Sequence, residues 1–279
     1  MNSAETKENA GIFQNTETLP SLFLGHGSPM NAIEENEFVE GLRDLSKTIP
    51  KPKAILCISA HWVTDGTFVT AMENPPTIHD FGGFPKALFD VQYPAPGSPE
   101  LAKLIQSVVK SQKVQLDYEW GLDHGAWSVI KHIYPNADVP VVQLSMAYKI
   151  SPEDHFQLAK ELSSLRNQGV LILASGNIVH NLRMVAWDRL NEVYGFDWAL
   201  DVNQKVKNWI LAGDNDSLIQ IRKYGKEFEW AIPTAEHYLP LLYTLGTKLD
   251  SDSISFFNDK PVAGALTMTS VRLEPSQKG

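Results

Sequence analysis

The sequence is short of cysteine, of basic charge and of long apolar runs, and each shortage removes a class of protein. Cys57 is the only cysteine and sits inside the apolar run Ile55-Leu56-Cys57-Ile58, so neither a disulfide framework nor a cysteine metal knot can form. Lysine and arginine together number 24 against 33 aspartates and glutamates, a net charge of -9. Without a basic stripe, no nucleic-acid partner is expected. The apolar runs are strand-length, as from Gly169 to Ala174, and fall short of the ~20 residues of a membrane span. Residues 1–19 are polar and lack the apolar core of a secretory signal. They are expected to be a disordered tail ahead of one domain, residues 20–279, working in the cytoplasm on small molecules.

What is present is an alternation of apolar strand-like runs with amphipathic helix-like segments, the pattern of an α/β sheet. Strands are expected at Ser21-Gly25, Lys53-Ala60, Thr67-Met72, Val139-Ser145, Val170-Ser175 and Ala263-Val271. Ser98-Pro99-Glu100 and Ser151-Pro152-Glu153-Asp154 each open a helix with a capping hydroxyl and a proline at the first position. Val193 to Lys226 reads as one or two further helices broken at Gly213-Asp214-Asn215. The fold class is a single α/β domain with a mostly parallel or mixed central sheet flanked by helices.

Three of the eight histidines follow apolar runs that break into small residues: Leu24-Gly25-His26, Ile58-Ser59-Ala60-His61, and Ala174-Ser175-Gly176-Asn177 before His180. Each stands at or just past the carboxyl end of an expected strand, where open α/β sheets place their active sites. If those strands are parallel neighbours, the imidazoles meet in one crevice and suggest a mononuclear metal centre. His155 is expected to face solvent in a first helical turn, and His132 to be structural. Pro75 to Pro85 is rich in Pro, Gly and aromatics and reads as a functional loop.

Six segments carry a resemblance: Leu24-Gly25-His26-Gly27-Ser28-Pro29, Ser59-Ala60-His61-Trp62, Pro76-Thr77-Ile78-His79-Asp80-Phe81-Gly82-Gly83-Phe84-Pro85, Asp123-His124-Gly125-Ala126-Trp127, Ser175-Gly176-Asn177-Ile178-Val179-His180-Asn181-Leu182-Arg183 and Pro233-Thr234-Ala235-Glu236-His237-Tyr238-Leu239-Pro240. In this order they resemble the bacterial 4,5-DOPA extradiol dioxygenases, members of the class III extradiol ring-cleavage enzymes with a LigB-like catalytic subunit. The resemblance implies one divalent metal per chain, Fe(II) in the active state with zinc able to occupy the site. It implies His26, His61 and His237 as ligands, His180 as acid/base catalyst or fourth ligand, and His124 as a second catalytic pocket histidine. The substrates implied are a catechol and O2, inserted with ring opening to a semialdehyde. His79, Asp80, Phe81, Phe84 and Trp62 are expected to contact the ring or its polar groups.

Related enzymes use a glutamate as third ligand, and Glu236 adjoins His237. Helical spacing favours His237, one turn from Leu241 and two from Leu245, with Glu236 then in a first helical turn. Two other functions use the same histidines: a zinc hydrolase with Glu236 or Asp123 as base, and a non-enzymatic metal-site binding protein of the Memo type. Oligomeric state is left open, a homo-oligomer included.

Overall fold

A computed structural model describes residues 13, 14, 16–190 and 192–276. Its central sheet runs β5-β2-β6-β1-β10-β7, from β1 (Ser21–Gly25), β2 (Ala54–Ser59), β5 (Val141–Gln143), β6 (Val170–Gly176), β7 (Asp252–Phe257) and β10 (Ser270–Pro275). The first four positions in that order are mutually parallel, while β10 is antiparallel to both β1 and β7. The sheet is therefore mixed, with a parallel core. Strands β3 (Thr67–Thr70) and β4 (Val114–Asp117) pair separately, as do β8 (Pro261–Val262) and β9 (Leu266–Thr267).

Alternation along the parallel strands explains why both faces carry helices. Leu22, Leu24, Ile55, Cys57, Leu171 and Leu173 point to one core, and Phe23, Leu56, Ile58, Ile172 and Ala174 to the other. All are fully buried, as expected of parallel strands covered on both sides. The first face is packed by α1 (Glu37–Ser46) and α3 (His124–Ile133), and the second by α2 (Pro99–Val108), α4 (Pro152–Leu162), α5 (Asp197–Ala212) and α6 (Leu239–Gly246). Ser98 accepts from Leu101 N at 3.1 Å, and Ser151 forms a reciprocal capping box with Asp154, so both proline-opened helices begin where their caps require.

Four expectations change. The run Ala263-Val271 is not one strand: Ala263 and Gly264 take φ of 50° and 84° in the turn between β8 and β9, and Met268 and Thr269, outside any strand, divide the rest of the run between β9 and β10. Strand β7, absent from the expected list, pairs with β10 at the sheet edge and exposes alternate residues. His155 is buried rather than solvent-facing, because α4 turns it onto α6, where its Nδ1 meets Tyr243 Oη at 2.9 Å. Glu236 and His237 lie ahead of α6, which starts at Leu239, in a lead-in turn closed by Leu239 N donating to Ala235 O at 2.9 Å rather than in the helix itself.

The tail expected over residues 1–19 lies largely outside the described residues. Phe13 is packed in the core, and Thr16 N donates to Asn167 O at 2.7 Å. Among the described residues no helix is long and apolar enough to cross a membrane.

Candidate metal centre

Register places the histidines. Gly25 lies opposite Gly176, and Ser59 opposite Ser175, so β1, β6 and β2 end level with one another. His26 follows at once, its N–H donating to Gly176 O at 3.1 Å, and His61 stands two residues beyond Ser59. His237 is brought to the same edge by its backbone: Asn177 N donates to His237 O at 2.8 Å. A Cβ on Gly176 would collide with that carbonyl, so glycine is the residue that lets the two segments approach.

The resulting cluster holds five imidazoles. Ring centres of His26, His61 and His237 form a nearly equilateral triangle with sides of 5.1, 5.2 and 5.2 Å, and His26 Nε2 lies 3.3 Å from His61 Nε2. Nitrogens bound at ~2.0–2.1 Å to one tetrahedral ion stand about 3.4 Å apart, with ring centres about 5 Å apart. The ring-centre spacing matches a single ion, with the His237 donor atom farther out than those of the closest set. The tightest set of donor atoms is a different, overlapping one: those of His26, His61 and His124 fall within 4.8 Å of one another. His124 lies against His61 with ring centres 3.8 Å apart, and His180 stacks on His237 at 3.6 Å and 4°.

Neighbouring polar groups hold these rings. His26 Nδ1 meets Ser175 Oγ at 3.0 Å, which leaves Nε2 for the centre. Asp80 accepts the backbone N–H of His124 at 2.8 Å, and its Oδ1 lies 2.9 Å from His124 Nδ1 in an oblique approach, while Oδ2 is 3.5 Å from His61 Nδ1. Beneath them, buried Asp123 caps α3 through Ala126 N and accepts from Ser59 Oγ at 2.6 Å and Gln143 Nε2 at 2.7 Å. With both oxygens engaged, Asp123 is not a free base. The nitrogen His237 Nδ1 is buried without a hydrogen-bond partner, 3.8 Å from Glu236 Oε1.

Burial dominates the electrostatics. It drives His26 well below the usual histidine range, helped by the charges of His61, His237, His124 and His180. The same burial, with His124 next in importance, lowers His61 to about 2, and burial with His237 lowers His180 to about 3. Burial would raise Glu236, but the adjacent His237 imidazole and the hydrogen bond from Thr234 outweigh it and hold the carboxyl at about 2. Asp80 follows the same logic: contacts from His124 overcome its partial burial and lower it. Neutral imidazoles with free Nε2 atoms are ready metal donors.

The cluster opens into a cavity of about 910 Å³. His26, His61, His124, His180 and His237 line it together with Phe81 and Phe84 from the loop at 75–85. Three residues expected against substrate are placed elsewhere. The ring of Trp62 is buried and stacks on Trp120 at 5.7 Å and 2°. His79 is tied to Val91 O at 2.9 Å and packs on Trp127 and Phe89, which anchors the loop. Asp80 faces the histidines, as above. Sequence patterns gave no notice of Ser175 as a histidine partner, although a small polar residue at a strand end next to Gly176 was the available signal. Nor did they mark Leu182, Trp187, Leu190, Leu266 and Met268, which complete the cavity.

An α/β sheet with a histidine cluster at its carboxyl edge, opening into a large cavity, is the arrangement of a metal-dependent enzyme. Residues 20–260 match the family model described as the catalytic LigB subunit of aromatic ring-opening dioxygenase, and the chain belongs to that family. A 4,5-DOPA dioxygenase extradiol of Escherichia coli K12 is 44% identical, over 94% of this chain and 97% of its own length. One of the same name from Beta vulgaris is 34% identical, over 90% and 95%. A crystal structure of an uncharacterised E. coli K12 protein superposes with a TM-score of 0.79 at 40% identity, covering 91% of this chain and 99% of the other. The protein is an extradiol ring-opening dioxygenase, an oxidoreductase.

Proposed function

We propose that this chain forms one catalytic domain that cleaves a DOPA-like catechol beside its diol, in the cytoplasm, with Fe(II) held by His26, His61 and His237, and that zinc can take the same position. The near-equilateral triangle of these three imidazoles supports the ligand set best. His124, part of the tightest donor set, is drawn toward Asp80 and is assigned to the substrate side. Asp80 is assigned as a positioning residue that keeps the Nδ1 protons of His61 and His124 turned away from the centre.

When bound, Fe(II) supplies the route for electrons between a singlet catechol and triplet dioxygen, which three protein ligands allow by leaving coordination positions open. The chain's own residues do the rest. His180, kept neutral by burial, takes a proton from a catechol hydroxyl and returns it later. Phe81 and Phe84 hold the ring against the histidines and exclude water. Both oxygen atoms enter the product, one ring C–C bond breaks, and the ends become a carboxyl and an aldehyde, so no external reductant is consumed.

The test is anaerobic Fe(II) loading followed by DOPA and oxygen, with an oxygen electrode and visible absorbance read together. One O2 consumed per yellow semialdehyde formed is expected. A colourless product from cleavage between the hydroxyls, or no oxygen uptake, would remove the assignment.

A further inference from the structure

The cavity extends well beyond the histidines. Its volume of about 910 Å³ is near the top of the ~300–1,000 Å³ usual for pockets that enclose drug-sized ligands. Among its lining residues His26, His124 and His237 are buried. Leu182, Val185, Trp187, Leu190 and Val193, with Val262, Leu266 and Met268, form its apolar wall, and Glu192 lines it from the same stretch of chain.

This wall is built rather than incidental. Asn181 N donates to Ala265 O at 3.1 Å and Ala186 N to Ala263 O at 2.9 Å, fastening the segment to the β8–β9 hairpin. Val185, Ala263, Ala265 and Leu266 form a small core of their own beneath it. On that base Leu182, Trp187, Leu190 and Val193 stand 51%, 63%, 46% and 56% exposed, and all four line the cavity. Large apolar side chains grouped at the mouth of a binding cavity mark a surface that a ligand covers. The exposed Glu34, Glu35, Glu37 and Glu192 also line the cavity, and among the described residues no lysine or arginine does. A carboxylate-ended substituent finds no partner there.

We infer that the preferred substrate is a catechol bearing an extended, uncharged apolar substituent, which lies along Leu182, Trp187, Leu190 and Val193 while the diol faces the histidines. This rests on the ring-cleavage function proposed above and specifies what the ring carries. DOPA then reaches the histidines but leaves the apolar wall uncovered.

The experiment is a series of 4-alkylcatechols, from methyl to octyl, given to the Fe(II)-loaded wild type and to a Trp187→Ser/Leu190→Ser variant, with kcat/KM read from oxygen uptake. In the wild type kcat/KM should rise with chain length, by up to about fourfold per methylene while the chain is being buried. The gain should come mainly from a lower KM at nearly constant kcat, since the tail is remote from the bond that breaks. In the variant the ratio between long and short substrates should collapse toward unity. Binding of the same series to the metal-free protein, followed by calorimetry, should show the same trend without turnover. A flat or falling series in a wild type that cleaves 4-methylcatechol overturns the inference and leaves ring cleavage standing. A rising series unaltered in the variant overturns the assignment of the wall. A concentration-dependent dimer that hides Trp187 and is lost in the variant would give the patch to a second copy of the chain, and also overturns it. No turnover of any catechol defeats the ring-cleavage function itself.

Discussion

Replacing Gly125 by alanine should weaken the metal centre although it improves a helix on paper. Gly125 is the second residue of α3, where glycine costs up to about 1 kcal/mol relative to alanine. A Cβ built there meets Ser59 Oγ and lies 2.7 Å from His61 Cδ2, against an ordinary carbon contact of about 3.5–4.0 Å. Ser59 is not free to move, because its Oγ donates to Asp123 at 2.6 Å and accepts the His61 N–H at 3.2 Å. The His61 ring must therefore shift by roughly 0.8 Å or more to restore contact distance. Overpacking of this kind costs about 1–3 kcal/mol, more than the helical gain, so Tm should fall by a few degrees. Displacing one donor should weaken zinc binding about 10–100-fold, the range seen when the supports of a ligand are altered. The assay is competition with a chromophoric chelator, run beside calorimetry of the metal-free protein. Gly82→Ala serves as control, since a Cβ there meets nothing within 4 Å. Wild-type zinc affinity with a raised Tm in Gly125→Ala would refute the steric reasoning.

Other outcomes follow from the same geometry. His26→Ala and His61→Ala should each lose stoichiometric metal by elemental analysis, whereas His180→Ala should keep it and lose ring cleavage by ~10²–10⁴; lost metal in His180→Ala would make that residue a ligand. His237→Ala should lose metal while His124→Ala and Glu236→Gln retain it, and the reverse pattern for either would transfer the third position to that residue. Asp80→Asn should weaken zinc about 10–100-fold, with Asp80→Glu recovering part of the loss, and an effect on substrate KM alone would place Asp80 on the substrate. His155 is buried, and burial lowers it from 6.5 to about 4, so the unfolded chain takes up its proton first as pH falls. Stability should decline between roughly pH 6.5 and 4 by up to about 3 kcal/mol from this residue, and urea unfolding of His155→Leu should lack that part of the slope.

The expected positions of β1, β2 and β6 could be read because each is a buried run ending in small residues, and Ser98 and Ser151 announced α2 and α4 through cap and proline chemistry. Strand β7 was hidden because Asp252-Ser-Ile-Ser-Phe-Phe sits at a sheet edge and carries only a half-apolar pattern, while the positive φ of Ala263 had no sequence mark. His155 misled because Glu153 and Asp154 beside it are solvent-facing, and a helix turns its neighbours to different sides. The histidine cluster was partly visible as strand ends in common register, but whether Trp62 or Phe81 reaches the cavity depends on how irregular backbone aims each ring. Periodicity has nothing to say about that.

The five imidazoles come from five separate stretches of chain between positions 26 and 237, and they meet only because β1 pairs with β6 and His237 docks its backbone on Asn177. An unfolded or half-made chain therefore has nothing resembling the site, so the ion cannot nucleate folding and must arrive after the sheet has closed. It then acts as a latch: binding to the folded state alone adds about 2.7 kcal/mol at a free metal concentration one hundred times Kd. A cell starved of metal would accumulate a folded but more readily opened form, and degradation of the chain would track metal supply.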